Sequence, residues 1–417
     1  SSSSSSSSSP SKQIVVQAMK GRTMDICVGD DKQIRTVLNF ATHDFLGMSS
    51  NEAIKASSRD ALSKYGCGSC GPRGFYGTID VHLQLEDAIS KFTHTEGAIM
   101  YSDGASTASS TVAAFAKRGD LIVVDEGVYE PLVAGITLSR ANVLWFKHND
   151  MADLRRVLEG VQKRDKSLGR KKNDQRRFIV TEGLFKNTGT IAPIDELVAL
   201  KHEFNYRLIL DESFSFGTLG ETGRGALELY GKKPMHDAEI ITISLENSLG
   251  SIGGVTVGSE EVVDHQRLSG AGYCFSASSP PFTASAAIQS LRQLECKTEL
   301  LATLQRNQSY LYTKLREMST QIFKHKLVVT SDERSPLVYL ELTEDATTGN
   351  REVLLDRIAD KCLEDGLAVL SMVRPDSGNN KTSWPPALRM TPSAALTEWD
   401  IDDALNILKK AVMSVKM

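Results

Sequence analysis

Between residues 51 and 285, short and almost wholly apolar runs alternate with longer helical patterns. This alternation constrains the fold more than any other feature of the chain. The runs are 98–102, 121–125, 143–147, 178–182, 207–211, 240–244 and 254–258. Several are apolar at consecutive positions, which a strand needs only when both faces of its sheet are covered. Strand and helix in regular alternation give an α/β fold with a mostly parallel central sheet covered by helices. Several runs close on a polar residue, among them Asp125, Glu182, Asp211 and Ser244. Open α/β sheets bind ligands at that carboxyl edge.

After residue 285 the pattern changes. A long helical stretch is expected over about 283–322, then strands near 327–330 and 337–342 and a helix near 352–365. A strand at 368–372, Arg389 beside another strand, and a helix at 398–413 complete a smaller C-terminal α+β domain over 286–417. Residues 1–50 read as a disordered N-terminus, low in complexity over the serine run 1–9, followed by an arm with a short strand at 37–40. The large domain is then 51–285, and 417 residues suffice for such a division. The charged segment 162–177 (QKRDKSLGRKKNDQRR) reads as a solvated surface loop, with a partner-binding or anionic-surface patch as the alternative.

Bulk properties exclude some functions. A net charge of -4 gives no global basic field for nucleic acid. Six cysteines in so long a chain suit a reducing compartment better than a secreted disulfide framework. No apolar run reaches the roughly 18–20 residues of a spanning helix; the stretch 121–138 is broken by Asp125, Glu126 and Glu130. The opening serines carry no Met, which leaves open a targeting or membrane segment upstream.

Four segments could carry chemistry. In 210–225, Asp211 ends a buried strand and a glycine-rich loop follows, so the acid is placed to pair with a protonated ring nitrogen or a metal; an ordinary N-cap is the plainer reading. In 244–254, Asn247 lies in a turn whose small residues permit close backbone approach. Segment 64–78 holds five glycines with Cys67, Cys70, Arg73, Phe75 and Tyr76, and reads as backbone lining a ligand or a partner. Its Cys-x-x-Cys lacks the strand-to-helix setting of a redox motif and the second ligand pair of a zinc site. In 272–281, hydroxyls that include Ser276 precede a proline-bounded helix start, suited to helix capping or to a phosphate. The eight histidines are scattered, and neither HExxH nor GxSxG occurs.

Taken together, these segments resemble the α-oxoamine synthases, the fold-type I pyridoxal-phosphate (PLP) enzymes that join an amino acid to an acyl-CoA. The similarity spans about 35–410, and 64–78, 146–153, 177–190 and 264–278 are most similar to the first long-chain-base subunits of serine palmitoyltransferases. The resemblance implies a fold-type I PLP-transferase-like architecture. It also exposes three departures. Asn247 stands where catalytic members carry the Schiff-base lysine, and an amide nitrogen cannot form an imine. Tyr129 replaces the histidine that stacks on the cofactor ring, and Phe214 replaces the histidine of the aspartate motif. Asp211, the partner of the ring nitrogen, is retained as a remnant.

What the resemblance implies is a non-catalytic subunit. PLP would be bound covalently by the partner, the catalytic second long-chain-base subunit, in a heterodimer or higher assembly. That assembly condenses L-serine with palmitoyl-CoA to 3-oxosphinganine in sphingolipid biosynthesis, on the cytosolic face of the endoplasmic reticulum membrane. Membrane association would run through segments absent from this sequence. Cys70, Arg73, Phe75 and Tyr76 would face the partner's PLP, Ser276 would reach toward its phosphate, and Arg389 would pair with the substrate carboxylate. The family's histidine near that arginine is Leu396 here. The alternatives are an autonomous PLP-dependent acyltransferase using another lysine such as Lys186, and a silent scaffold without an enzyme partner.

Overall fold

The computed structural model describes residues 13–29, 33–171, 174–347, 349–376 and 383–415. The serine run, with its expected disorder, lies outside them. At the centre is a seven-stranded sheet. Its order is Gly97–Tyr101, Gly254–Gly258, Ile240–Ser244, Arg207–Asp211, Arg177–Glu182, Leu121–Asp125 and Asn142–Phe146. Gly254–Gly258 runs antiparallel to both neighbours, and the remaining pairings are parallel. Leu121–Asp125, Ile240–Ser244 and Gly254–Gly258 are buried at every position. Unbroken apolar runs are what a sheet covered on both faces requires. Only the edge strand Asn142–Phe146 alternates between exposed and sheltered residues.

Short polar side chains start the covering helices. Asn51 accepts from the N–H groups of Ala53 and Ile54, Asp103 from that of Ser106, and Asp150 from that of Asp153. The helix Met151–Leu168 buries Met151, Leu154, Leu158 and Val161 and stops at Gly169, whose φ is 62°. The charged segment is therefore not all loop, because its first seven residues, 162–168, extend this helix. Lys, Arg and Gln are good helix formers, and the buried stripe behind them carries the helix onward.

A second core lies under the sheet Leu327–Val329, Val338–Leu342, Ala387–Met390 and Leu370–Met372. Helices Arg351–Glu364 and Glu398–Ser414 cover it. Three expectations need correction. The long helical stretch is two helices, Pro281–Cys296 and Thr298–Gln321, parted at Lys297. Leu291, Leu294, Leu301 and Leu304 belong to the large core, and Leu311 and Leu315 to the second, so the seam falls later than residue 285. The expected strand 368–372 is two short strands in different sheets.

The arm holds three strands rather than one: Ile14–Met19, Thr23–Val28 and Arg35–Asn39 form a sheet with Leu367–Ala368. Met24 and Ile26 are buried while Asp25 between them is not, a period-two signal legible in the sequence. Ile14–Met19 gives no such signal, since its apolar Ile14, Val15 and Val16 are all exposed. No helix among the described residues is long and apolar enough to cross a membrane.

Candidate functional site

At the carboxyl edge of the sheet Glu182 and Asp211 end their strands side by side, and the next strand, Ile240–Ser244, sets Thr242 beside Asp211 and runs two residues further. Asp211 is 1% exposed. Its carboxylate accepts from the Tyr129 hydroxyl at 3.1 Å, the Thr242 hydroxyl at 2.6 Å and the Ser213 N–H at 2.9 Å. Burial pushes the Asp211 carboxyl up from its ordinary range, and these donors pull it back. Glu182, fully buried beside it, accepts from the N–H groups of Tyr129 and Lys186 at 2.7 and 2.9 Å. Burial and the neighbouring Asp211 hold the Glu182 carboxyl well above the usual carboxylate range. Burial, Asp211 and Glu182 likewise raise the Tyr129 phenol, which remains a neutral donor.

Asn247 lies three residues beyond Ile240–Ser244 and is buried, its Nδ2 donating to the Ser213 carbonyl at 2.8 Å. The Phe214 ring meets Tyr129 edge-on at 6.3 Å and His43 at 5.2 Å. At the start of the helix Gly104–Phe115, the Gly104 N–H donates to the Glu246 carboxylate at 3.2 Å, and Asp103 caps the same end. A helix N-terminus at this edge is where the anionic group of a ligand would settle. Here side-chain carboxylates occupy it.

These residues do not fit PLP as a cofactor of this chain. Position 247 offers no amine. The acid that would hold the ring nitrogen is satisfied by Tyr129 and Thr242. The helix N-terminus that would take a phosphate already carries Glu246 and Asp103. Lys186, the alternative lysine, places Nζ 3.3 Å from Glu130 and 5.9 Å from the centre of the Tyr129 ring.

The segments 64–78 and 272–281 are brought together. Ser278 donates its N–H to the Gly71 carbonyl at 2.9 Å, and Ser69 donates its hydroxyl to the Ser278 carbonyl at 3.0 Å. Gly77 must be glycine, since a Cβ there would lie 2.0 Å from the Gly71 carbonyl oxygen. Cys70 and Tyr76 adopt left-handed backbone, with φ 56° and 59°. Cys70, Phe75 and Tyr76 are exposed, and Phe275 in the adjoining segment is 86% exposed.

Arg73 departs from the expected placement, because it turns inward. It makes a two-pronged ion pair with Glu86 at 2.8 and 3.0 Å, and its Nε donates to the Thr78 hydroxyl at 3.0 Å. Glu86 also accepts the Met100 N–H at 2.8 Å. A guanidinium with so complete a local partner set stays buried and pins the loop to the helix Asp80–Thr93. Ser276 likewise turns its hydroxyl to the Gly272 carbonyl of its own chain, at 2.5 Å. Arg389 is 4% exposed and donates to the Ala41 carbonyl at 2.9 Å, while its Nε is buried without a hydrogen-bond partner. Among the described residues, no hydrogen bond or ring contact joins the loop 64–78 to Asp211 or Asn247.

Sequence reasoning missed His43, Glu246 and Glu86. Glu246 was legible as a carboxylate next to Asn247. Glu86 and His43 carry no local signal, because their partners are distant in sequence. Burial is the main cause that lowers the His43 imidazole to about 3, with Arg389 and Lys186 adding to it and Asn247 opposing. The ring is therefore held neutral, and its buried Nε2 has no hydrogen-bond partner. A group whose folded value lies below its ordinary 6.5 costs stability as pH falls from 6.5 toward 3. Urea unfolding of a His43→Gln chain should therefore weaken less between pH 6.5 and 4 than that of the wild type. Equal slopes would show that His43 protonates freely in the folded chain.

Comparison with known proteins agrees with this architecture. A family model described as "Aminotransferase class I and II" matches residues 35–408. The chain is 44% identical to "Long chain base biosynthesis protein 1b" of Oryza sativa subsp. japonica, covering 91% of this chain and 77% of that protein. It is 40% identical to "Serine palmitoyltransferase 1" of Dictyostelium discoideum, covering 97% and 82%. Among solved structures, a serine palmitoyltransferase from S. paucimobilis with a bound PLP–myriocin aldimine superposes with a TM-score of 0.84, at 24% identity, over 96% of this chain and 92% of that one. By sequence and by fold, the chain belongs to the class I and II aminotransferase family, among relatives named long chain base biosynthesis protein 1 and serine palmitoyltransferase 1.

Proposed function

We propose that this chain is the lysine-lacking subunit of a serine palmitoyltransferase. It completes and regulates the PLP site of a catalytic partner, the second long-chain-base subunit, and binds no PLP covalently itself. The assembly condenses L-serine with palmitoyl-CoA to 3-oxosphinganine, at the cytosolic face of the endoplasmic reticulum membrane. The observation that carries this reading is Asn247, an amide where imine chemistry needs a primary amine. The internal engagement of Asp211 by Tyr129 and Thr242 supports it independently.

The contribution to the partner's site falls to the loop 64–78. The buried Arg73–Glu86 pair holds the loop from behind, and Cys70, Phe75 and Tyr76 stand outward. Exposed aromatic side chains on a rigid loop mark a protein-binding surface. Co-purification from native membranes tests the proposal: the partner should carry a lysine at the position matching Asn247. A partner without that lysine refutes it.

Restoring the amine alone should not restore chemistry. Asn247→Lys leaves Tyr129 and Phe214 in the ring position and Glu246 at the helix N-terminus. The purified variant should show no PLP absorption band at about 420 nm that borohydride removes, since a Schiff-base lysine needs the rest of its site. Turnover matching that of a catalytic relative would contradict this.

A further inference from the structure

Far from the carboxyl edge, three side chains converge at the opposite end of the sheet. His202 lies in the last turn of the helix Ile194–Phe204, which leads into the amino end of Arg207–Asp211. His236 and Asp237 lie just before the amino end of Ile240–Ser244. The two imidazoles address the same oxygen: His236 Nδ1 is 2.8 Å and His202 Nε2 3.2 Å from Asp237 Oδ1. Their ring centres are 5.0 Å apart, and one ligand atom from each of the three residues lies within 4.8 Å of the others.

The geometry points to a binding site for a transition-metal dication of the Zn²⁺ type, held by His202 Nε2, His236 Nδ1 and Asp237 Oδ1. Zinc takes imidazole and carboxylate ligands at about 2.0–2.2 Å in a tetrahedron, so its donor atoms stand about 3.3–3.5 Å apart. The two separations from Asp237 Oδ1, 2.8 and 3.2 Å, open by a few tenths of an ångström to reach this, and the two imidazole nitrogens lie within 4.8 Å of each other.

The surroundings are those of a prepared site. Asp237 Oδ2 accepts the Lys233 N–H at 2.8 Å, which orients the carboxylate and turns Oδ1 toward the two imidazoles for single-oxygen ligation. The buried Lys201 ammonium donates to the backbone carbonyls of His236 and Asp237 at 2.6 and 3.2 Å and fixes the loop that carries both ligands. Its charge, which would oppose a cation, is offset by Glu239 at 2.9 Å.

An imidazole bound to the metal carries its proton on its other nitrogen, Nε2 of His236 or Nδ1 of His202, and turns a lone pair on the ion. Three protein ligands leave a fourth position for water or an external donor.

Equilibrium dialysis and calorimetry with ZnCl₂ on the metal-stripped complex, at neutral pH, test this. The expected result is one Zn²⁺ per copy of this chain at the site. His236→Ala and His202→Ala should each weaken it at least about tenfold, as loss of a ligand exceeds the ~10–100-fold cost of losing an outer partner only in degree. His236 has a side chain 73% exposed, so its removal leaves the fold intact, and acyltransferase activity of the complex should be unchanged. Zn²⁺ affinity and stoichiometry unaltered in the His202→Ala/His236→Ala double variant would overturn the assignment, as would a wild-type complex that retains no Zn²⁺.

Discussion

Replacing Arg73 by Met should cost the folded chain about 3–5 kcal/mol of unfolding free energy, because one partner of a buried ion pair is removed and the other is left in place. The side chains of Arg73 and Glu86 are 4% and 7% exposed. Without the guanidinium, Glu86 keeps only the Met100 N–H and is left buried without its counter-charge. The loop 64–78 also loses its anchor, so the complex should lose activity at protein concentrations where the variant is still folded. The double variant Arg73→Met/Glu86→Gln should recover much of the stability, since the glutamine carbonyl still accepts from Met100 and no charge is buried. Urea unfolding of both variants checks this. An Arg73→Met chain within about 1 kcal/mol of wild type would show that the pair is not held dry as described.

Cys70→Trp should separate folding from assembly. Cys70 is exposed and left-handed at φ 56°, so within this chain a tryptophan meets no packed core. The cysteine already bears the left-handed backbone, so the exchange should cost the isolated fold only about 0.5 kcal/mol, as at other exposed positions. At the partner's surface the same ring overfills a contact, so activity of the complex should fall more than about tenfold. Cys70→Ser, close in size, should leave activity near wild type. Full activity of the Cys70→Trp complex would remove this loop from the shared site.

The sheet was legible because its strands are buried on both faces. Runs such as 121–125 and 240–244 are short, largely apolar and rich in β-branched residues, which separates them from a segment of buried helix. Asp211 was legible for a related reason, as a charge closing such a run must be satisfied at the sheet edge. The direction of Arg73 was not. A guanidinium in a glycine-rich loop reads as exposed, and only the folded chain brings Glu86 from the neighbouring helix against it. The occupied state of the Asp211 carboxylate was also hidden, since Tyr129 is 82 residues away in sequence. The break at Lys297 was missed because both flanking helices are amphipathic and neither proline nor glycine separates them. The seam between the cores falls inside Thr298–Gln321, where periodicity reveals a buried stripe but not which core it faces.

The central claim is that reactivity belongs to a companion chain, and one experiment addresses it most directly. The native complex is reduced with borohydride, both subunits are digested, and every phosphopyridoxyl-lysine is located by mass spectrometry. The account predicts a single modified lysine on the partner and none on this chain, Lys186 included. A phosphopyridoxyl group on any lysine of this chain would contradict it.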